Sequence, residues 1–154
     1  MQLSDILKPA GVKVIASSTS KKRLFHDLGE IAEANYGLSE QTVIDALIER
    51  ENLGPTGVGQ GVALPHARLQ GVEKICGIFL KLEKPMDFDA VDRQPVDLVF
   101  ALFAPETAGV DHLKALALVS RTLRDPAICA KLRANHDAAT LHAILTEAPT
   151  TQAA

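Results

Sequence analysis

His66 lies near the end of the run GPTGVGQGVALPHARL, which spans Gly54 to Leu69. A neutral imidazole is a nucleophile, and an ordinary histidine pKa near 6.5 leaves most of the ring neutral at pH 7. The apolar stretch Val62-Ala63-Leu64 and a rigid Pro65 precede it, so the ring is expected to close a short strand, held in place yet accessible. Attack on phosphorus fits such a group. Acyl transfer finds no support, since the chain has no G-x-S-x-G elbow and Ser120 falls inside a helical pattern. Zinc is equally unsupported: the histidines at 26, 66, 112, 136 and 142 contain no H-x3-H pair and no nearby C-x2-C. The carboxylates Asp87, Asp89 and Asp92 lack the glycine and distal glutamate of an EF-hand and read as a solvated loop. No metal and no cofactor is expected.

The glycines upstream of His66 fit neither common nucleotide loop. Gly54 and Gly59 have P-loop spacing, but Gln60 stands where the lysine belongs. Gly57 and Gly59 begin a dinucleotide fingerprint whose third position is Val62, and Pro65 opposes a helix starting at Leu64. Two readings stay open for these glycines. They form a tight turn into a strand, or their successive N–H groups make an anion-binding concavity.

The elements that must position His66 follow from pattern. Val12, Val14 and Ala16 alternate as on a strand, after an apolar start at Leu3, Ile6 and Leu7 and a break at Pro9 and Gly11. Ser20 caps a helix carrying Leu24, Phe25, Leu28, Ile31 and Ala32, and Gly37 ends it. Ser39 caps the next, with Val43, Ile44, Leu47 and Ile48 on one stripe, and Gly54-Pro55 stops it. Segments 75–82 and 95–105 are near-continuous apolar runs, as expected of inner strands covered on both faces, with a Pro- and Asp-rich loop at 83–94. From Gly109 a helix is expected with Leu113, Leu116, Ala117 and Ser120 inward, followed by helices opened by Asp125-Pro126 and Asp137. Strands alternating with helices in this order give an α/β class fold, a three-layer α/β/α sandwich.

Composition narrows the function classes. With 154 residues, 47% hydrophobic and 23% charged, the chain is an ordinary globular fold large enough to bury a core. A net charge of -3 offers no basic stripe for nucleic acid but leaves room for a small phosphorylated partner. Cys76 and Cys129 are too few for a disulfide framework and read as buried thiols in a reducing compartment. The opening MQLSDILKPAGVKV lacks the features of a signal peptide, and no apolar stretch approaches the roughly 20 residues of a membrane span. A cytoplasmic protein with no membrane or nucleic-acid partner is expected.

The stretches LIERENLGPTG, TGVGQGVALPHARL and KPMDFDAVDRQPVDLVFALFAP resemble the IIA domains of the fructose/mannitol class of the bacterial phosphotransferase system. The resemblance covers about residues 5 to 147 and is strongest to the stand-alone nitrogen-regulatory members. Its motif is an Arg, then T-G-[IV]-G-x-G-[IV]-A-[IL]-P-H, an apolar strand, and F-D-A-x-D-x-Q-P-V. It implies an α/β sandwich around a mixed sheet, with a single domain over 1–148 and a flexible tail at 149–154. It also implies that His66 takes a phosphoryl group from an HPr-type phosphocarrier, that Arg50 helps hold this group, and that His112 lies beside the active ring. By their residue types alone, Arg50 reads as a solvated helix-end charge and His112 as a first-turn surface histidine. Near a helix N-terminus the dipole is expected to keep His112 neutral. Thr56 either donates its hydroxyl to the phosphoryl group or stabilises the turn. The loop glycines and the helix ends at Arg50 and His112 are expected to form an anion seat. The function implied is a phosphocarrier-regulator acting on target proteins through its phosphorylation state. The alternatives are a sugar-transport IIA subunit serving a IIB domain and, from another class, a binding module whose histidine is never phosphorylated.

Overall fold

The computed structural model describes residues 1–147; the tail expected at 149–154 lies outside them. In chain order the elements are α1 (Leu3–Ile6), β1 (Leu7–Ile15), α2 (Lys21–Tyr36), α3 (Glu40–Leu53), β2 (Gly57–Gly59), β3 (Val62–Ala63), β4 (His66–Leu69), β5 (Cys76–Met86), β6 (Val96–Pro105), α4 (Val110–Leu123), α5 (Pro126–Ala134) and α6 (Ala138–Thr146). The six strands form one mixed sheet in the order β1-β5-β6-β3-β2, with β4 also paired to β6. β1 lies parallel to β5, β5 antiparallel to β6, and β3 and β4 parallel to β6.

Strand alternation divides the core in two. Ile78, Leu80 and Leu82 of β5, with Val99, Ala101 and Phe103 of β6, pack against Leu24, Phe25 and Leu28 of α2 and Val43 and Leu47 of α3. The opposite face, with Phe79, Leu98, Phe100 and Leu102, meets Val119 of α4, Cys129 and Leu132 of α5 and Leu141 of α6. Helices therefore cover both faces, giving the expected α/β/α sandwich around a mixed sheet. Cys76 and Cys129 are buried free thiols in different halves of the core.

The helix boundaries follow local chemistry. Ser20, Ser39, Asp125 and Asp137 each accept a first-turn N–H, and Gly37 closes α2 in the left-handed region at φ 69°. Each such cap contributes about 1 kcal/mol.

Three expectations need correction. β1 starts at Leu7 and runs through Pro9 and Gly11, where its register against β5 shifts between Leu7 and Val12. β5 continues to Met86, and its pairing with β6 shifts between Lys81 and Met86, accommodating Pro85. The buried face of α4 carries His112, Ala115, Leu118, Val119 and Leu123, whereas Leu113 is 62% exposed. Helical spacing fits either stripe of this Ala- and Leu-rich segment, and the inward one contains a histidine that an apolar pattern passes over.

Candidate active site

The backbone places His66. β3 and β4 lie along β6 in one register, Val62 opposite Leu98 and His66 opposite Leu102, with an interruption at Leu64-Pro65. Proline has no N–H to add to a ladder, although its carbonyl accepts from the Leu102 amide at 3.0 Å. His66 thus opens a strand rather than closing one. The Leu64 carbonyl meets the His66 ring instead, 2.8 Å from Nδ1. A carbonyl oxygen only accepts, so Nδ1 carries the proton and Nε2 the lone pair. Arg50, in the last turn of α3, agrees: its Nε donates to His66 Nε2 at 3.3 Å, and its Nη1 to the Gly54 carbonyl at 3.0 Å. Burial, aided by the Arg50 guanidinium and opposed by the Leu64 carbonyl, holds the His66 pKa below the ordinary 6.5.

His112 sits beside it, the two rings 5.6 Å apart and edge-on. It is buried rather than a surface residue, with 5% of its area exposed. Arg68 Nε donates to His112 Nδ1 at 3.0 Å, while His112 Nε2 is buried with no hydrogen-bond partner among the described residues. Burial first, then the neighbouring His66 and Arg68, push the His112 pKa down to about 4. The neutral ring expected from the helix dipole is thus explained mainly by desolvation. Arg68 reaches this place because residues two apart on a strand share a face, so His66 and Arg68 look outward while Ala67 and Leu69 enter the core.

These four side chains line an open pocket of about 410 Å³. Leu53 and Leu113, 82% and 62% exposed, share its wall with Ala46, Leu116 and Glu49. The site therefore joins two guanidinium groups and a lone-pair nitrogen within an apolar rim. That arrangement suits a tetrahedral anion brought in by a partner whose own surface is apolar around its reactive group.

No glycine lines this pocket, and the loop expected to share in an anion seat lies apart from it. β2 and β3 form a hairpin joined by Gln60 and Gly61, both at positive φ (58° and 81°). A Cβ on Gly61 would lie 2.5 Å from Arg133 Nη2, and one on Gly57 2.8 Å from the Ala90 Cβ. The glycines thus serve the tight turn and its close packing. Arg133 of α5 secures the tip, binding Asp97 at 2.9 Å and the Gln60 carbonyl at 2.8 Å. The Asp92 carboxylate accepts the Gln60 and Gln94 amides, and Asp89 pairs with Lys21.

Thr56 stabilises the turn. It is buried, its hydroxyl donates to Glu51 Oε1 at 2.6 Å, and its amide donates to Glu51 Oε2 at 3.0 Å. Lys21 Nζ binds the same carboxylate at 2.8 Å. Glu51, next to Arg50 in sequence, therefore ties the end of α3 to both the turn and the start of α2. Glu51→Ala would strand the buried Thr56 amide and hydroxyl and leave Lys21 with Asp89 alone, and should cost about 2 kcal/mol. Urea unfolding checks this; a change within about 0.5 kcal/mol, typical of a plain surface substitution, would show the carboxylate to be dispensable. Neither Glu51 nor Arg68 was distinguishable by residue type from other surface charges. Their only sequence signal is adjacency to Arg50 and the i+2 position after His66.

A three-layer sandwich whose sheet margin presents a histidine pair beside two arginines has the layout of a site for a tetrahedral anion. Residues 5–148 match the family described as "Phosphoenolpyruvate-dependent sugar phosphotransferase system, EIIA 2", and the chain belongs to that family. Within it the chain is similar to nitrogen regulatory proteins. It is 46% identical over 153 residues to the "Nitrogen regulatory protein" of Bradyrhizobium diazoefficiens, covering 99% of this chain and 100% of that one. It is 42% identical to that of Klebsiella oxytoca, over 96% of this chain and 92% of the relative. The crystal structure of nitrogen regulatory protein IIA-Ntr from Neisseria meningitidis superimposes with a TM-score of 0.86 at 39% identity, covering 92% of this chain and 97% of that one.

Proposed function

We propose that His66 Nε2 accepts a phosphoryl group from an HPr-type phosphocarrier and that the chain, acting as one domain over 1–148, regulates target proteins through its phosphorylation state. The family implies phosphotransfer partners of the phosphocarrier kind, and similarity to nitrogen regulatory proteins favours the regulatory role. The state of the His66 ring supports this reading most directly. Nδ1–H is anchored on the Leu64 carbonyl, so the free lone pair is on Nε2, facing Arg50 in an open pocket.

The transfer then runs with few proton movements. The Nε2 lone pair attacks phosphorus, an N–P bond forms, and the donor's phosphorus–nitrogen bond breaks with its electron pair returning to the donor's imidazole. The proton stays on Nδ1, still donated to the Leu64 carbonyl. The protein's contribution is positioning and charge, as phosphoryl transfer requires: Arg50 turns its N–H groups from the ring nitrogen to the incoming oxygens. The product adds roughly -1.5 to -2 charges at the pocket, beside the exposed Leu53 and Leu113. A target docking there with an apolar or acidic surface loses affinity, and one with a basic surface gains it. No helix among the described residues is long and apolar enough to cross a membrane. The proposed exchange with a phosphocarrier is a cytoplasmic one.

Incubation with phosphoenolpyruvate, the system's enzyme I and an HPr-type phosphocarrier tests the reading. An acid-labile phosphoryl group should appear on this chain; its absence refutes phosphoryl acceptance. Ready discharge onto a sugar-specific IIB domain would make the chain a transport subunit instead.

The pH dependence follows from the protonation state. Only the unprotonated ring can attack, and its pKa lies below the ordinary 6.5. Acceptance should be level around pH 7 and decline only on acidification below that value. Arg50→Gln removes one of the two influences that lower the pKa, so it should move the declining limb to slightly higher pH. Single-turnover rates at several pH values check this, and an unmoved limb in Arg50→Gln would deny the arginine any electrostatic hold on the ring.

A further inference from the structure

We infer that Arg68 is a positioning residue: it fixes His112 with its proton on Nε2, so that this second ring meets a phosphoryl group on His66 as a neutral hydrogen-bond donor. The inference rests on the reading that His66 carries that group. An arginine side chain has donors only, so the 3.0 Å bond from Arg68 Nε requires a lone pair on His112 Nδ1. The ring's single proton must then sit on Nε2. That nitrogen is buried without a partner among the described residues, in a ring 5.6 Å from His66. A buried donor without an acceptor is unfavourable, and an oxygen of a phosphoryl group on the neighbouring ring would satisfy it.

Neutrality suits a carrier, which must release what it accepts. Arg50 and Arg68 already place two cations at the pocket. A third, on His112, would hold the phosphoryl group more firmly without favouring its departure. Burial and the adjoining Arg68 both oppose that third charge. The same guanidinium thus selects the tautomer and discourages the cation.

Two measurements test the role. In protein labelled with 15N-histidine at neutral pH, nitrogen–proton correlation spectra should show His112 protonated on Nε2. They should show the proton on Nδ1 in Arg68→Glu, where a carboxylate replaces the donor with an acceptor. Arg68→Lys, still a donor, should keep the wild-type pattern. In single-turnover phosphorylation, Arg68→Met should slow acceptance about tenfold in the wild-type chain and only about threefold when His112 is already glutamine, because the charge of Arg68 at the pocket is lost in both backgrounds and its hold on the ring only in the first. A wild-type ring protonated on Nδ1, or an Arg68→Met effect of equal size in both backgrounds, overturns the positioning role. A wild-type chain that takes up no phosphoryl group at all overturns the function on which it rests, a separate and visible outcome.

Discussion

His66→Ala is expected to take up no phosphoryl group from a charged phosphocarrier while keeping its fold. His112 cannot stand in for the missing ring. Its lone pair lies on Nδ1, held by the Arg68 N–H at 3.0 Å, closer than the 3.3 Å between Arg50 and His66 Nε2, and its Nε2 carries the proton. It is also buried, whereas His66 is half-exposed on the pocket wall. The structural loss is small. The ring gives up its bond to the Leu64 carbonyl and its contact with Arg50, about 1 kcal/mol in all. Melting temperature and the far-ultraviolet spectrum should therefore stay near wild type. Mass spectrometry of the charged wild-type protein should place the group on His66. A phosphoryl group mapped to any other residue, or a variant that charges normally, would end the assignment.

What could be read from the chain divides by the range of the forces involved. The caps at Ser20, Ser39, Asp125 and Asp137 and the stop at Gly37 are settled within a few residues, by a side-chain oxygen meeting a first-turn amide or a glycine adopting positive φ. They were legible for that reason. So were the two long inner strands, since burial on both faces leaves almost no polar residue in them. Lys81 is the exception within the buried part of β5, before the exposed Glu83 and Lys84. It is buried, and its ammonium donates to the Arg133 and Asn135 carbonyls at the end of α5, more than fifty residues away. A helix terminus supplied by distant chain offers the sequence no local mark.

The site shows the same division. His66 stood out by type and neighbours, and Arg50 by its resemblance to a family motif. Arg68 did not, because the partner that gives it meaning lies forty-four residues further on. The apolar pattern points to the wrong face of α4 for a related reason. Apolar periodicity could not favour a stripe holding His112, and only the packed fold places that ring against the sheet. The glycines misled in the opposite sense. A run of four looks like a phosphate loop, but here it answers a hairpin turn and the nearness of Ala90, Asp97 and Arg133. Backbone freedom serves both purposes, so composition alone does not separate them.

Arg50→Ala should slow phosphoryl acceptance by about two decades without abolishing it. The guanidinium has five N–H donors, and two of them are engaged in the resting protein, with His66 Nε2 and the Gly54 carbonyl. The first engagement is temporary, because the Nε2 lone pair is the one that must bond to phosphorus. As it does so, the Nε–H is released to the transferring oxygens while the Gly54 tether keeps the group in place. Loss of one such donor to developing charge costs about 3 kcal/mol, which is about a hundredfold in rate. The His66 ring remains, with Nδ1–H still on Leu64, so attack continues at the lower rate. Arg50→Lys should recover only part of the loss, about one decade, since an ammonium is a point charge that cannot hold Gly54 and two oxygens in one plane. Single-turnover rates with charged phosphocarrier in excess separate the variants. Wild-type rates in both would return Arg50 to the role of a solvated charge at the end of α3, and rates equal in the alanine and lysine variants would show that fork geometry, rather than charge, is what the site uses.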